Sequence, residues 1–373
     1  MSLSMADRDG FIWFDGEIQP WRDVKTHVLT HALHYGSAVF EGERIYDGRV
    51  FRLAAHSARL INSACLLGYE LPWTLQQIED ATRAIVKANG LSEGYIRPIA
   101  WRGSEVMGVS SIGTTVHLAI APWAQEGRLS VQVKPGGIHM TMARYRRPGP
   151  DVAPGQAKVA GLYIICGIEK DRALKAGFDD ALMLDWQGRL AESTGANIFL
   201  VIGGKLVTPR PENFLDGITR RAVMDMAKRR GWSVEERAVW PHELDEASEI
   251  FLCGTAAEIV PVGALDERQA GDDLRGAVRL QFEPPRRPAR RRRDQRQIAL
   301  GPCHRLDRGL GGPQLRMVLH RQSHELVERR RGRAVRGVPR AVVEQRHLGI
   351  FGRSVQRHAR LWQPQGSGSL LPF

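Results

Sequence analysis

Gln156-Ala157-Lys158-Val159-Ala160-Gly161-Leu162-Tyr163 sets a lysine just after the Pro154-Gly155 turn and ahead of Ile164, Ile165 and Ile168. The pattern predicts an apolar helix opened by the lysine, with the isoleucines buried and little room for the amine to snorkel. Burial lowers the pKa of an amine, and a desolvated lysine is a nucleophile toward an aldehyde. A solvated lysine at a helix start fits the same residues, so the stretch gains meaning only from its company.

Three further segments carry complementary chemistry. Ala191-Glu192-Ser193-Thr194-Gly195-Ala196-Asn197-Ile198-Phe199 sets a carboxylate before a glycine turn and an apolar strand. A pyridine-type cofactor needs such an acid to keep its ring nitrogen protonated, although a surface turn acid has the same spacing. Asp216-Gly217-Ile218-Thr219 and Cys253-Gly254-Thr255-Ala256-Ala257 are glycine-led turns. Their backbone N–H groups and threonine hydroxyls suit an anion, and ordinary helix caps look alike. Arg59, in His56-Ser57-Ala58-Arg59-Leu60, has the fork to grip a phosphate, or stands on the surface. His27, His31 and His34 have i, i+4, i+7 spacing and would share a helix face. No carboxylate or cysteine accompanies them, so packed or capping histidines are the better reading and no metal is expected.

Residues 10–265 alternate strands, turns and helices. Asp15-Gly16 and Asp47-Gly48 are the pairs that type I′ hairpins favour, and Gln187-Gly188 and Gly203-Gly204 also separate apolar runs. Antiparallel meanders follow, not a doubly wound sheet. A helix opens at a Thr74/Gln77 capping box, buries Ile78, Ala81 and Ile85, and stops at Asn89-Gly90. Another runs from about Thr219 to Arg230 on the stripe Ala222, Val223, Met226 and Ala227. Glycines and prolines loosen the pattern between Trp123 and Pro154, which puts a domain junction there.

Charge divides the chain differently. Of the net +12, residues 268–373 hold 24 arginines, no lysine and 8 acidic side chains, a surplus of +16, which leaves −4 over residues 1–267. This Arg- and Pro-rich end has lost the apolar periodicity and predicts a disordered tail or a frameshifted reading of a GC-rich gene. Binding of nucleic acid or another polyanion through it is a rival function, opposed by the scarcity of aromatic side chains there. No dinucleotide-binding glycine motif, P-loop, G-x-S-x-G elbow or H-E-x-x-H occurs. No apolar run nears the roughly 18 residues that span a bilayer, and Cys65, Cys166, Cys253 and Cys303 lack C-x-x-C spacing, so a cytoplasmic protein without membrane association is expected.

The segments His31 to Gly42, Tyr95-Ile96-Arg97-Pro98, Ala157-Lys158 to Tyr163, Glu192 to Phe199, Leu215 to Arg220 and Gly254 to Ile259 together resemble one family, the branched-chain amino-acid aminotransferases. These are fold-type IV pyridoxal-phosphate enzymes, and the likeness covers about residues 11–265. It implies a mixed α/β fold, D-amino-acid aminotransferase-like, with a small N-terminal domain (5–124), an interdomain loop (125–137), a large cofactor-binding domain (138–267) and the anomalous tail (268–373). The resemblance implies transamination of leucine, isoleucine and valine with 2-oxoglutarate or glutamate, for branched-chain amino-acid biosynthesis.

By the same resemblance, Lys158 is the Schiff-base lysine and the catalytic acid and base. Glu192 holds the pyridine nitrogen and Tyr163 the ring hydroxyl, with Leu215 against the ring. Arg59, Ile218, Thr219 and Thr255 take the phosphate. Tyr35, Phe40, Tyr95 and Trp123 shape the side-chain pocket, while Arg97 and the Thr255-Ala256 amides read carboxylates. A homodimer or higher homo-oligomer is implied. A D-amino-acid aminotransferase or an aminodeoxychorismate lyase is the alternative within the fold, and the wording of His31 to Gly42 favours the branched-chain branch. Residues 125–137 depart from the family's loop, and the basic tail stands where its final strand and helix would be.

Overall fold

The computed structural model describes residues 4–125 and 136–265, together with the backbone of 268–269. It is a mixed α/β structure of two sheets. The first holds β1 (Phe11–Phe14), β2 (Glu17–Pro20), β3 (Val39–Phe40), β4 (Glu43–Tyr46), β5 (Arg49–Val50), β6 (Gly94–Arg102) and β7 (Val116–Ala124), in the order β2-β1-β7-β6-β4-β5 with β3 also on β6. Every pairing in it is antiparallel. Its tight turns follow from the sequence. Asp15 and Gly16 have φ of 49° and 107°, Asp47 and Gly48 49° and 69°, the doubly positive backbone that Asp-Gly tolerates. A short helix α1 (His31–Tyr35) precedes β3, and α2 (Leu53–Leu66) and α3 (Leu75–Ala88) follow β5. Thr74 and Gln77 make the expected reciprocal capping box. Ile78, Ala81 and Ile85 pack with Leu60 and Ala64 of α2 on Ile45, Ile96, Leu118 and Ile120.

The second sheet holds β8 (Ile138–Met142), β9 (Asp180–Leu184), β10 (Leu190–Ser193), β11 (Asn197–Ile202), β12 (Lys205–Pro209), β13 (Val234–Arg237), β14 (Ala247–Gly254), β15 (Glu258–Leu265) and β16 (Arg268–Gln269). Their order is β10-β9-β8-β15-β14-β11-β12-β13. β10 also meets β11, Glu192 opposite Asn197, which closes six strands into a barrel. Ile138, Met140, Leu182, Ile198, Leu252 and Val260 belong to one buried cluster of this sheet. The meander expectation is correct only in part here, because β8 runs parallel to β9 and β15, and β12 parallel to β13. α4 (Tyr163–Lys175) and α5 (Ile218–Arg229) complete the α-helices among the described residues, α5 packing Val223, Met224 and Ala227 on Phe199, Phe251 and Ile259.

Three sequence readings need correction. Lys158 does not open a helix: it sits at a tight bend, spanned by a bond from Val159 N to Ala157 O (3.0 Å), with Val159 bridging Val39, a short helical turn at Ala160–Leu162 and α4 starting only at Tyr163. Ile164 and Ile168 are exposed, 64% and 44%, and Ile165 is only half-buried, because α4 turns them away from the barrel. His27, His31 and His34 do not share a helix face, since α1 begins at His31. Their rings instead meet backbone groups of Leu29, Val109 and Val28. Of the linker placed at 125–137, residues 126–135 lie outside the described residues, as does the tail beyond Gln269. β16 pairs with the end of β15.

The first sheet also buries an acid at a cost. Glu43 on β4 is 1% exposed, and its Oε2 has no hydrogen-bond partner among the described residues. Burial first, then the neighbouring Glu41 carboxylate, push its pKa well above the usual range, against the pull of Arg59. A carboxyl raised in the fold is stabilising only while protonated, so its contribution is intact below the unfolded pKa and is lost as pH climbs through the raised one. Glu43→Gln is therefore expected to gain on the natural protein by about 1–3 kcal/mol as conditions turn alkaline. Thermal midpoints of both proteins from pH 6 to 9 check this, and a gap that stays flat across that range would refute it.

Candidate active site

The bend at Lys158 explains which side chains meet. Ala157 and Val159 on either side of it are buried in the first sheet's core, and the Lys158 side chain lines the cavity. The segment is held beside residues 36–40: Phe40 N donates to Lys158 O (3.1 Å), Ala160 N to Ala38 O (2.8 Å) and Gly161 N to Gly36 O (3.0 Å). Two motifs more than a hundred residues apart thus form one ribbon. On its partner strand, Phe40 and Gly42 face the same side as Lys158 and line a cavity of about 220 Å³ with it.

Within that cavity, Lys158 Nζ donates to Tyr163 Oη at 2.6 Å and lies 4.8 Å from the Phe40 ring centre. Glu192 lines the same cavity from the barrel's closing strand, 9% exposed. Burial raises its pKa, opposed by the charges of Arg147 and Lys158. Arg147 Nε stands 3.3 Å from Glu192 Oε1, Arg147 Nη1 donates to Cys166 Sγ at 3.3 Å, and Asn197 Nδ2 reaches both Glu192 (3.4 Å) and Leu215 O (3.0 Å).

The opposite end is built to receive an anion. α5 begins at Gly217-Ile218-Thr219 with no side-chain cap, and the first N–H groups of a helix have no intrahelical partners. Gly217 is required by close approach, since a Cβ there would stand 2.0 Å from Asn197 Oδ1. Buried Arg220 anchors the preceding turn by donating to Thr208 Oγ1 (3.1 Å), Pro209 O (3.1 Å) and Asp216 Oδ1 (3.0 Å). Arg59 from α2 and the Gly254-Thr255-Ala256 turn between β14 and β15 complete this end.

Arg97 and Tyr95, two apart on β6, line the remaining wall. Arg97 lies over the Phe40 ring at 5.0 Å, and its buried Nε has no partner among the described residues. A Cβ on Gly42 would come within 1.9 Å of Tyr95 Oη, so the wall needs glycine there. The cavity therefore joins Phe40, Arg59, Tyr95, Arg97, Lys158, Tyr163, Glu192, Leu215, Ile218, Thr219, Thr255 and Ala256. Tyr35 and Trp123 are not among its lining residues: Tyr35 is 42% exposed on α1, and Trp123 stands behind Tyr95, ring centres 5.0 Å apart. Sequence reasoning passes over Arg147, Asn197 and Cys166. Arg147 sits in Arg144-Tyr145-Arg146-Arg147, which reads as a solvated basic loop, and nothing local marks its burial.

The residues present fit a phosphorylated pyridine aldehyde. A polar amine, a buried acid some way from it and a helix N-terminus with an arginine match an aldehyde carbon, a ring nitrogen and a phosphate respectively.

Known proteins resemble this chain in sequence and in fold. The family model described as amino-transferase class IV matches residues 38–265. The branched-chain-amino-acid aminotransferase of Pseudomonas aeruginosa is 41% identical over 280 residues, covering 74% of this chain and 91% of the relative. The crystal structure of the Escherichia coli branched-chain amino acid aminotransferase superposes with a TM-score of 0.68 at 35% identity over 71% of this chain and 89% of that one. The T.th. enzyme of the same name, solved with pyridoxamine 5'-phosphate, gives 0.68 at 37% identity over 71% and 88%.

Proposed function

The chain belongs to the amino-transferase class IV family, and from that premise we propose that it transfers the amino group of leucine, isoleucine or valine to 2-oxoglutarate with bound pyridoxal 5'-phosphate. The observation that carries the reading is one cavity in which Lys158, Glu192 and the Arg59–α5 end are held together by separate elements. Bound there, the cofactor would supply an electron sink for the bond-breaking at the substrate Cα.

Lys158 is the residue to hold the aldehyde carbon and then carry a proton from and to the substrate Cα. Tyr163, at 2.6 Å, steadies the amine and takes the ring hydroxyl. Glu192 takes the ring nitrogen, with Arg147 opposing the protonation that burial favours, while Leu215 covers the ring face. Arg59, Ile218, Thr219 and Thr255 take the phosphate. Phe40 and Tyr95 make the apolar wall that a branched side chain needs. Arg97 and the amides of Thr255 and Ala256 offer donors for substrate carboxylates, so leucine-like and glutamate-like substrates can share one pocket.

The proposal includes two domains, residues 5–124 and 138–267, and a homodimer. Val28, Leu29, Leu33 and Tyr35 around α1, with Val106, Met107, Val109 and Ile112, are exposed apolar side chains. A second copy covering them would bring Tyr35 to use. A cytoplasmic setting belongs to the same proposal; among the described residues no helix is long and apolar enough to cross a membrane.

The test is turnover. L-Leucine with 2-oxoglutarate is expected to yield 4-methyl-2-oxopentanoate and glutamate. Failure with all three branched-chain substrates, together with turnover of D-alanine or release of pyruvate from aminodeoxychorismate, would move the chain to a sibling activity.

A further inference from the structure

Arg59 does not reach the cavity by itself. Its Nε donates to Glu41 Oε1 at 2.6 Å and its Nη2 to Glu41 Oε2 at 2.8 Å, a two-point clamp that fixes the guanidinium plane. Glu41 is wholly buried between β3 and β4, on the face opposite Phe40 and Gly42, and does not line the cavity. The same Oε2 accepts from His56 Nδ1 at 2.7 Å, one helical turn before Arg59 on α2. Burial alone would raise the Glu41 carboxyl, but Arg59 and His56 outweigh it and hold it far below the usual carboxylate range. Burial lowers the His56 pKa against the pull of Glu41, so the ring is neutral and its Nδ1–H is the donor. With Nε and one Nη2 hydrogen spent on Glu41, the remaining edge of Arg59 looks toward the head of α5, where Nη1 stands 3.5 Å from Asp216 O.

We propose that Glu41, itself steadied by His56, is the positioning residue that aims the free edge of Arg59 at a phosphate monoester on the N-terminus of α5. The inference rests on the reading of Arg59 as a phosphate ligand given above. It also means that the arginine's charge is largely cancelled by its clamp. Recognition at this end then depends on aimed N–H groups and the helix terminus more than on net charge.

The experiment compares binding of pyridoxal phosphate with binding of pyridoxal, which lacks the phosphate, to the cofactor-free full chain, followed by absorbance. Glu41→Gln keeps the shape and removes the charge. It is expected to weaken pyridoxal phosphate by about 10–100-fold, the usual range for partners that orient a ligand-holding group, while pyridoxal changes less than about threefold. Equal loss of both ligands would make Glu41 merely structural, and unchanged or tighter pyridoxal phosphate would overturn the positioning role. If Glu41→Gln does not fold, Glu41→Asp, which keeps the charge but shortens the reach, reads the same ratio. Arg59→Gln separates the two levels of argument. If it too fails to discriminate the ligands, the phosphate reading of Arg59 is wrong. If it discriminates and the Glu41 variants do not, only the positioning inference falls.

Discussion

Lys158→Ala is expected to lower transamination by about 10³–10⁴-fold or more, because both the covalent hold and the proton carrier are lost, and general acid–base catalysis alone is worth about 10²–10⁴-fold. The cofactor should still bind, through the α5 end and Glu192, but borohydride should no longer fix it to the protein. Lys158 is the one lysine among the described residues lining the cavity, so no neighbour replaces it. Stability should change little, since the Nζ bonds Tyr163 alone among the hydrogen bonds seen, and the backbone N–H to Ser63 Oγ (3.0 Å) survives the substitution. The readouts are the visible band of the holoprotein before and after borohydride, and leucine turnover. A variant that kept a tenth of the natural rate, or still trapped the cofactor covalently, would remove Lys158 from the proposed role.

What can be read from the sequence is whatever is decided locally. The Asp-Gly hairpins, the Thr74 capping box and the apolar stripe of α5 are each fixed by residues within a few positions of one another, and each stands where expected, except that Met224 and not Met226 is the methionine buried on α5. The sequence pattern sets Lys158 on a helix because its real constraint is non-local. The residues that hold its segment, Ala38 and Phe40, lie about 120 positions upstream, and the single bridge beside it is too short to register as a strand. The isoleucines after it look like core because composition alone does not separate an apolar side chain left on the surface from a buried one. Arg147 is invisible for a related reason, because it meets Glu192 from 45 positions upstream. Asn197 pairs with Glu192 locally, across the turn Thr194-Gly195-Ala196, but its bond to Leu215 O spans 18 positions and nothing in the strand announces it. The family resemblance carries the site residues across that gap, but it does not say that Tyr35 and Trp123 stand outside the single-chain cavity.

Glu192→Gln tests the other end of the proposed cofactor. The substitution preserves the side chain's shape, and the amide can keep the neighbourhood of Asn197 while relieving a carboxylate that burial disfavours, so the fold is expected to hold. What it removes is the carboxylate charge proposed to face the ring nitrogen. A single preorganised electrostatic contact of this kind is worth about 10²–10³-fold in kcat, and that is the expected loss, with the visible band retained. The pH dependence gives a second, independent reading. Burial raises Glu192 while Arg147 and Lys158 restrain it, so activity that needs the anion should fall as pH drops through a value above the ordinary carboxylate range. That acid limb should vanish in Glu192→Gln. In Arg147→Leu it should move to higher pH, because the side chain 3.3 Å away no longer opposes protonation. Leucine half-reaction rates from pH 5 to 9 on the three proteins decide the matter. A Glu192→Gln enzyme within about threefold of the natural rate, or an acid limb indifferent to Arg147, would mean that Glu192 is a buried structural acid and that the ring nitrogen is held by something else.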